Sequence, residues 1–158
     1  LRDGNSNGSP VRRLIEAGLN PKQIVQIGIN DFSNSSDYEQ LAHSLGITVI
    51  TRIEVARIGI ASACTKALEI AGASLGPIHV DLDVDVCDQS VVPACPAAAP
   101  GGISAFELRQ AARLLASNSL VRGLDITEID ASRDTEDQRT IRLGALLVLE
   151  AVAGQLSR

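Results

Sequence analysis

Hydrophobic positions along this chain follow two spacings, one typical of short strands and one typical of amphipathic helices. Aliphatic runs at residues 24–29, 47–50 and 120–126 are bounded by turn residues and predict strands. Between them, apolar residues recur three or four positions apart, which predicts helices. Strands that alternate with helices indicate a parallel sheet with helices on both faces, that is, a three-layer α/β/α fold.

Local signals predict where the helices begin and end. Pro10 suits the first position of a helix that continues over residues 11–17, and Gly18 lies just beyond its end. Four residue pairs have the spacing of a capping box at a helix start: Ser36/Glu39, Thr51/Glu54, Ser104/Glu107 and Thr135/Gln138. After Thr51 the apolar spacing predicts one long helix as far as Ala71.

One further strand carries acidic residues. Asp81, Asp83 and Asp85 alternate with aliphatic residues, so a strand would place the three carboxylates on one face. Carboxylates that repel one another can be held together by a hard divalent cation such as Mg²⁺, Mn²⁺ or Ca²⁺. The Pro- and Gly-rich run to Gly102 predicts a loop at the carboxyl end of this strand, where α/β sheets bind ligands. The alternative is a solvent-facing edge strand with an acidic face.

A second acidic motif lies in residues 123–130, GLDITEID. Asp125 falls near the end of a strand and Glu128 lies just beyond it, at the sheet edge where Asp83 and Asp85 are expected. Asp125 could equally be a turn or helix-capping acid. For Glu128 we favour ligand binding, because it emerges where α/β sheets open to their ligands.

Composition narrows the class of protein. The 158 residues suit a single domain over 1–158, and 45% hydrophobic with 2% aromatic residues implies an aliphatic core. A net charge of −5 without a basic cluster argues against nucleic-acid binding, and neither a membrane span nor a signal peptide is evident. The three cysteines are expected to be small buried residues or loop thiols in a reducing compartment, by default the cytoplasm. The absence of Met and the start at Leu1 suggest a fragment.

These motifs together resemble a known family. Asp83-Val84-Asp85, followed by Gln89, Pro93-Ala94 and Gly102, resembles the C-terminal signature of the ureohydrolases, which include arginase, agmatinase and formimidoylglutamase. GLDITEID is similar to the family's strand with a substrate-binding glutamate, and residues 1–10 resemble the segment that follows its Asp-x-His-x-Asp motif. Within the family, the Ser-Asn-Gly-Ser-Pro opening, residues 27–35 and the Cys-Pro-Ala loop are most similar to formimidoylglutamase.

The resemblance implies an arginase-like fold and a site for two manganese ions. Asp83 and Asp85 match metal ligands, and the metals would lower the pKa of a water that attacks the substrate's amidine or guanidine carbon. Glu128 matches the glutamate that pairs with the cationic group of the substrate. Asn5 and Asn7 are expected to bind substrate, and Asn7 lies about where arginase has a histidine, which argues against arginase.

The implied reaction is hydrolysis of a linear amidine, N-formimidoyl-L-glutamate, to L-glutamate and formamide in histidine breakdown. We expect a homo-oligomer that acts on this small molecule. The family's remaining metal ligands lie upstream of these residues, and neither His43 nor His79, which we expect to be a satisfied core or edge histidine, can replace them. By themselves, therefore, these residues are expected to be nearly inactive, with a sheet incomplete on its N-terminal side.

Three alternatives remain open at this stage. The protein could be an agmatinase- or guanidine-type ureohydrolase, which shares the metal site but not the substrate. It could also be a non-catalytic metal-binding or interaction domain. A metal-dependent phosphoryl-transfer enzyme is less favoured, because no Gly-rich phosphate loop precedes a helix here.

Overall fold

The computed structural model describes Ser6 and residues 8–158. Within these residues, the strands are β1 (Val25–Ile29), β2 (Thr48–Thr51), β3 (Ile78–Asp83) and β4 (Val121–Thr127). The helices are α1 (Pro10–Glu16), α2 (Ser36–Leu45), α3 (Arg52–Ile58), α4 (Ile60–Ala71), α5 (Ala105–Ser117) and α6 (Arg139–Leu156). Short 3₁₀ turns occur at Pro21–Gln23, Val84–Val86 and Ala131–Arg133.

The strands pair in parallel, as the alternation of strands and helices predicts. β1 pairs with β2, and β3 pairs with β4, so that the described residues form two two-stranded sheets and not one continuous sheet. A shared aliphatic core joins the two pairs, and its fully buried members include Ile50 near the end of β2, Val84 after β3 and Leu147 on α6. The predicted α/β class with parallel strands is confirmed.

Several predicted helix ends are confirmed. Pro10 is the first residue of α1, and Gly46 ends α2 in the left-handed conformation that glycine adopts without strain. At the start of α5 the capping box is complete: Ser104 accepts from the backbone N–H of Glu107, and the Glu107 carboxylate accepts from that of Ser104. The capping box therefore fixes where α5 begins after the Pro- and Gly-rich loop.

The other three capping predictions need correction. Ser35, not Ser36, caps α2, because its side chain accepts from the N–H of Tyr38. Thr51 does cap α3, but the predicted long helix to Ala71 is wrong: Gly59 adopts φ +82° and divides it into α3 and α4. The cap assigned to Thr135 and Gln138 is also wrong, because Gln138 makes no side-chain cap.

All three cysteines are buried free thiols, as predicted. Burial raises the pKa of the Cys64 and Cys87 thiols to about 12. A buried thiol that keeps its proton behaves as a small hydrophobic residue, so these side chains serve the packing of the core.

Helices α5 and α6 are joined by an ion network that the sequence does not reveal. Glu150 of α6 is 8% exposed and accepts hydrogen bonds from Arg109 at 2.6 and 3.0 Å and from Arg113 at 2.5 Å. These contacts hold the pKa of Glu150 below its ordinary value. The carboxylate form is therefore the one that stabilises this helix pair.

We expect Glu150→Gln to lower the free energy of unfolding by about 1–3 kcal/mol at neutral pH. This range extends from the upper value for exposed ion pairs to the values for hydrogen bonds to charged groups. A carboxylate whose pKa is lower in the folded state stabilises the fold at pH values above its unfolded-state pKa, and this contribution is lost as the pH falls. The difference between the variant and the wild type should therefore shrink below about pH 4. Urea unfolding at pH 7 and at about pH 3 measures both effects. An equal deficit at the two pH values would contradict this account.

Helix α6 also carries an apolar face that the described residues leave exposed. Val148, Leu149, Val152 and Leu156 are each between 47% and 83% exposed and lie along one side of the helix. Even so, no helix among the described residues is both long enough and apolar enough to cross a membrane.

Candidate metal and substrate site

The two predicted metal-ligand carboxylates lie together at the carboxyl end of β3. Asp83 is the last residue of the strand, and Asp85 lies in the 3₁₀ turn that follows it. Asp85 therefore does not continue the strand alternation, which corrects the expectation of three acids on one strand face. The backbone N–H of Asp85 donates to Oδ1 of Asp83 at 3.0 Å, so the turn itself brings the two residues into contact.

Burial and mutual repulsion act on this pair. Burial is the largest cause that raises the pKa of Asp83 to about 7. The charges of Asp85 and Asp81 act in the same direction, and the hydrogen bond from the Asp85 N–H acts against them. Burial also raises the pKa of Asp85, with a further contribution from Asp81. Two half-buried carboxylates that resist ionisation are stabilised by a cation, and their hard oxygen ligands suit Mn²⁺.

The described residues do not supply a complete metal site. No group of three or more His, Cys, Asp or Glu side chains in this part of the chain is arranged to hold a metal. Asp83 and Asp85 therefore fit manganese as part of a ligand set.

The remaining polar residues on this face of β3 pair across the sheet with β4. Thr127 donates to Asp81 at 2.8 Å, and Nε2 of His79 lies 3.0 Å from Oδ1 of Asp125. His79 is therefore not a core histidine, because its side chain is 63% exposed, and its ring is satisfied by the contact with Asp125. Asp125 is likewise part of this cross-strand pair and not a turn or helix cap. The described contacts of Asp81, whose role the sequence left open, are thus directed to β4.

Glu128 lies at the same edge of the sheet as the carboxylate pair. Thr127, the last residue of β4, is the register partner of Asp83, and Glu128 follows it directly. Its backbone adopts φ +64°, a left-handed conformation that is uncommon for a residue with a side chain. Residues with such strain cluster at active sites and ligand-binding sites, where the surrounding structure holds them in place, although Phe32, Leu75 and Gln138 share a positive φ elsewhere in the described residues. Glu128 thus emerges at the edge where the sequence predicts substrate.

The loop that follows Asp85 is held by an aspartate that the sequence analysis missed. Asp88 accepts from Ser90 and, at 2.7 Å, from the backbone N–H of Gly101, which closes the loop on itself. Hydrogen bonds from Ser90 and Gly101 lower the pKa of Asp88 to about 2. The Asp-x-Ser spacing is typical of a turn and indicates the contact between Asp88 and Ser90. No local pattern indicates the contact with Gly101.

Gly102 allows the end of this loop to lie against its start. A methyl group at Gly102 would overlap the peptide between Cys87 and Asp88. The close approach lets the Asp88 N–H donate to the carbonyl of Ile103 at 3.0 Å. Gly102, which belongs to the segment that resembles the ureohydrolase signature, is therefore required for the packing of this loop.

Three of the five predicted site residues are thus placed by the structure at one sheet edge: Asp83, Asp85 and Glu128. The other two, Asn5 and Asn7, lie outside the described residues. Their assignment to substrate binding stays a prediction.

Comparison with known proteins identifies the class of protein to which this chain belongs. The Arginase family model matches residues 1–154, so the chain belongs to the arginase family. It is similar to a formimidoylglutamase from Halalkalibacterium halodurans, with 39% identity over 98% of this chain and 49% of that protein. The chain spans about half the length of the curated relatives it matches.

Solved structures agree with this fold. A formimidoylglutamase from Bacillus subtilis superimposes with a TM-score of 0.92 and 32% identity, over 99% of this chain and 49% of that one. A formiminoglutamase from Trypanosoma cruzi, solved with Mn²⁺, has a TM-score of 0.88 over 96% of this chain and 50% of that one. At 22% identity this second similarity is evidence of a shared fold alone. The arginase-like fold that the resemblance to ureohydrolases implies is confirmed.

Proposed function

We propose that the complete protein is a manganese-dependent hydrolase that cleaves a C–N bond in a linear amidine, N-formimidoyl-L-glutamate. The observation that carries the proposal is the placement of Asp83, Asp85 and Glu128 at one sheet edge in an arginase-family fold. The similarity to formimidoylglutamases supports the choice of substrate. Such an activity would belong to histidine breakdown.

In this proposal Asp83 and Asp85 would hold manganese together with ligands from outside the present residues. When bound, the metal supplies a water that is acidic enough to act near neutral pH. For this reason we expect residues 1–158 alone to bind manganese weakly and to hydrolyse little.

Glu128 would pair with the cationic amidine group and hold its carbon in position for attack. In the overall reaction water adds to the amidine carbon and the bond to the glutamate nitrogen breaks. That nitrogen takes a proton and leaves as the amino group of L-glutamate, while the carbon leaves as formamide. Donors for the two substrate carboxylates are proposed among Arg2, Asn5 and Arg12, of which the structure describes Arg12 only.

The test is a comparison of products from purified complete protein loaded with manganese. We expect formamide release from N-formimidoyl-L-glutamate to exceed urea release from arginine and agmatine. Asn7 replaces arginase's histidine, and an agmatine site would not provide donors for two carboxylates. Dominant urea release would contradict the amidine substrate but leave a guanidine-type ureohydrolase. Hydrolysis of none of these substrates would favour the non-catalytic metal-binding or interaction domain.

A homo-oligomeric state and a cytoplasmic location remain predictions from the sequence. Family membership argues against the phosphoryl-transfer alternative, because the family model that matches residues 1–154 is that of the arginase family.

A further inference from the structure

The peptide group at Ala94 joins the loop after Asp85 to the segment after Glu128. Ala94 is fully buried, and both of its backbone polar groups have partners far away in sequence. Its carbonyl accepts from the backbone N–H of Asp130 at 2.9 Å, and its N–H donates to Oγ1 of Thr140 at 3.1 Å. One residue of the loop is therefore held from two sides.

Thr140 in the first turn of α6 is fully buried, which is uncommon for a hydroxyl-bearing residue. Its hydroxyl accepts from Ala94 and donates to Oδ1 of Asp134 at 3.0 Å. Asp134 in turn accepts from the backbone N–H of Ile141 at 2.9 Å, which ties it to the same helix turn. Thr140 thus connects the Ala94 loop, the segment after Glu128 and the start of α6.

These contacts matter because the two segments carry the two halves of the proposed site. The loop begins three residues after Asp85, and Asp130 lies two residues after Glu128. Glu128 is held in a left-handed conformation that does not persist without support from its surroundings. The hydrogen bonds at Ala94 supply that support from the metal side of the site.

We propose that Thr140 is a positioning residue, whose hydroxyl fixes the Glu128 segment against the loop that follows the metal-binding aspartates. This inference rests on the proposed hydrolytic function. Thr140 does not belong to the set of residues expected to contact the substrate or the metal, so it acts through Ala94 and Asp134.

Thr140→Val tests the hydroxyl at nearly constant shape, because valine keeps the branched side chain but leaves the buried N–H of Ala94 without an acceptor. Thr140→Ser is the matched control, since it keeps the hydroxyl and loses only the methyl group. Both variants are compared in the complete, manganese-loaded protein.

The first measurement is independent of activity. Hydrogen–deuterium exchange should become faster in the valine variant in peptides that cover residues 88–104 and 128–138, and should stay close to the wild type in the serine variant. Unchanged protection in the valine variant would overturn the proposal, because the hydroxyl would then hold neither segment.

The second measurement uses whichever amidine or guanidine substrate the wild type hydrolyses. The valine variant should lose kcat by at least about tenfold, since small misplacements of a reacting group are costly. Manganese content should stay at the wild-type level, and serine should restore kcat.

Faster exchange with wild-type kcat, or equal loss of kcat in both variants, would reduce Thr140 to a packing role and overturn the inference. A wild type that hydrolyses no substrate would instead refute the proposed function, which is seen before any variant is made.

Discussion

Replacement of Asp83 or Asp85 by alanine in the complete protein is expected to remove bound manganese and to abolish hydrolysis. The Asp83 carboxylate accepts from the backbone N–H of Asp85 in the turn after β3, and burial disfavours the charge of both carboxylates unless a cation is present. Removal of either one leaves the metal with fewer anionic ligands in a half-buried site. Metal analysis of each purified variant, with turnover measured on the same samples, tests this expectation.

Asp81→Ala is the matched control for both variants. It removes a carboxylate from the same strand, two residues before Asp83, but this side chain is exposed and accepts from Thr127 of the neighbouring strand. Its manganese content should therefore remain close to that of the wild type. Full metal occupancy with normal turnover in Asp83→Ala or Asp85→Ala would refute the assignment of this strand end to metal binding.

Glu128→Gln is expected to leave the metals bound yet lower kcat/KM strongly. Glutamine keeps the size of the side chain but loses the charge that pairs with the cationic amidine group. The loss should be about 2–4 kcal/mol of transition-state stabilisation, the general size for removal of one preorganised electrostatic contact. Steady-state kinetics on N-formimidoyl-L-glutamate, together with manganese analysis, separates a substrate role from a metal role.

Glu136→Gln provides the control, because Glu136 is an exposed acid in the segment between Glu128 and α6. It should change neither kcat/KM nor metal content. Loss of manganese in Glu128→Gln would move Glu128 from substrate binding to metal binding. Unchanged kinetics in that variant would remove it from the site altogether.

The sequence by itself determined the parts of this protein that depend on short-range periodicity and on residue chemistry. Alternating aliphatic runs and helical spacing predicted the strands, most of the helices and their parallel arrangement. Local capping chemistry predicted the start of α5, because both halves of the Ser104 and Glu107 exchange lie within one turn. The Asp-x-Asp motif and Glu128 indicated the candidate site, because the chemistry of these residue types is evident without the structure.

Other features were decided by the tertiary structure, because they depend on contacts between residues distant in sequence. A helical pattern did not reveal the break at Gly59, since the same apolar spacing continues through α3 and α4. The sequence did not decide whether His79 is a core or an edge histidine, because its exposure depends on what packs against its side of the sheet. The Arg109–Glu150–Arg113 network and the Thr140–Ala94 hydrogen bond join residues about 40 positions apart. No local pattern encodes such pairs, and only the folded chain brings them within hydrogen-bonding distance.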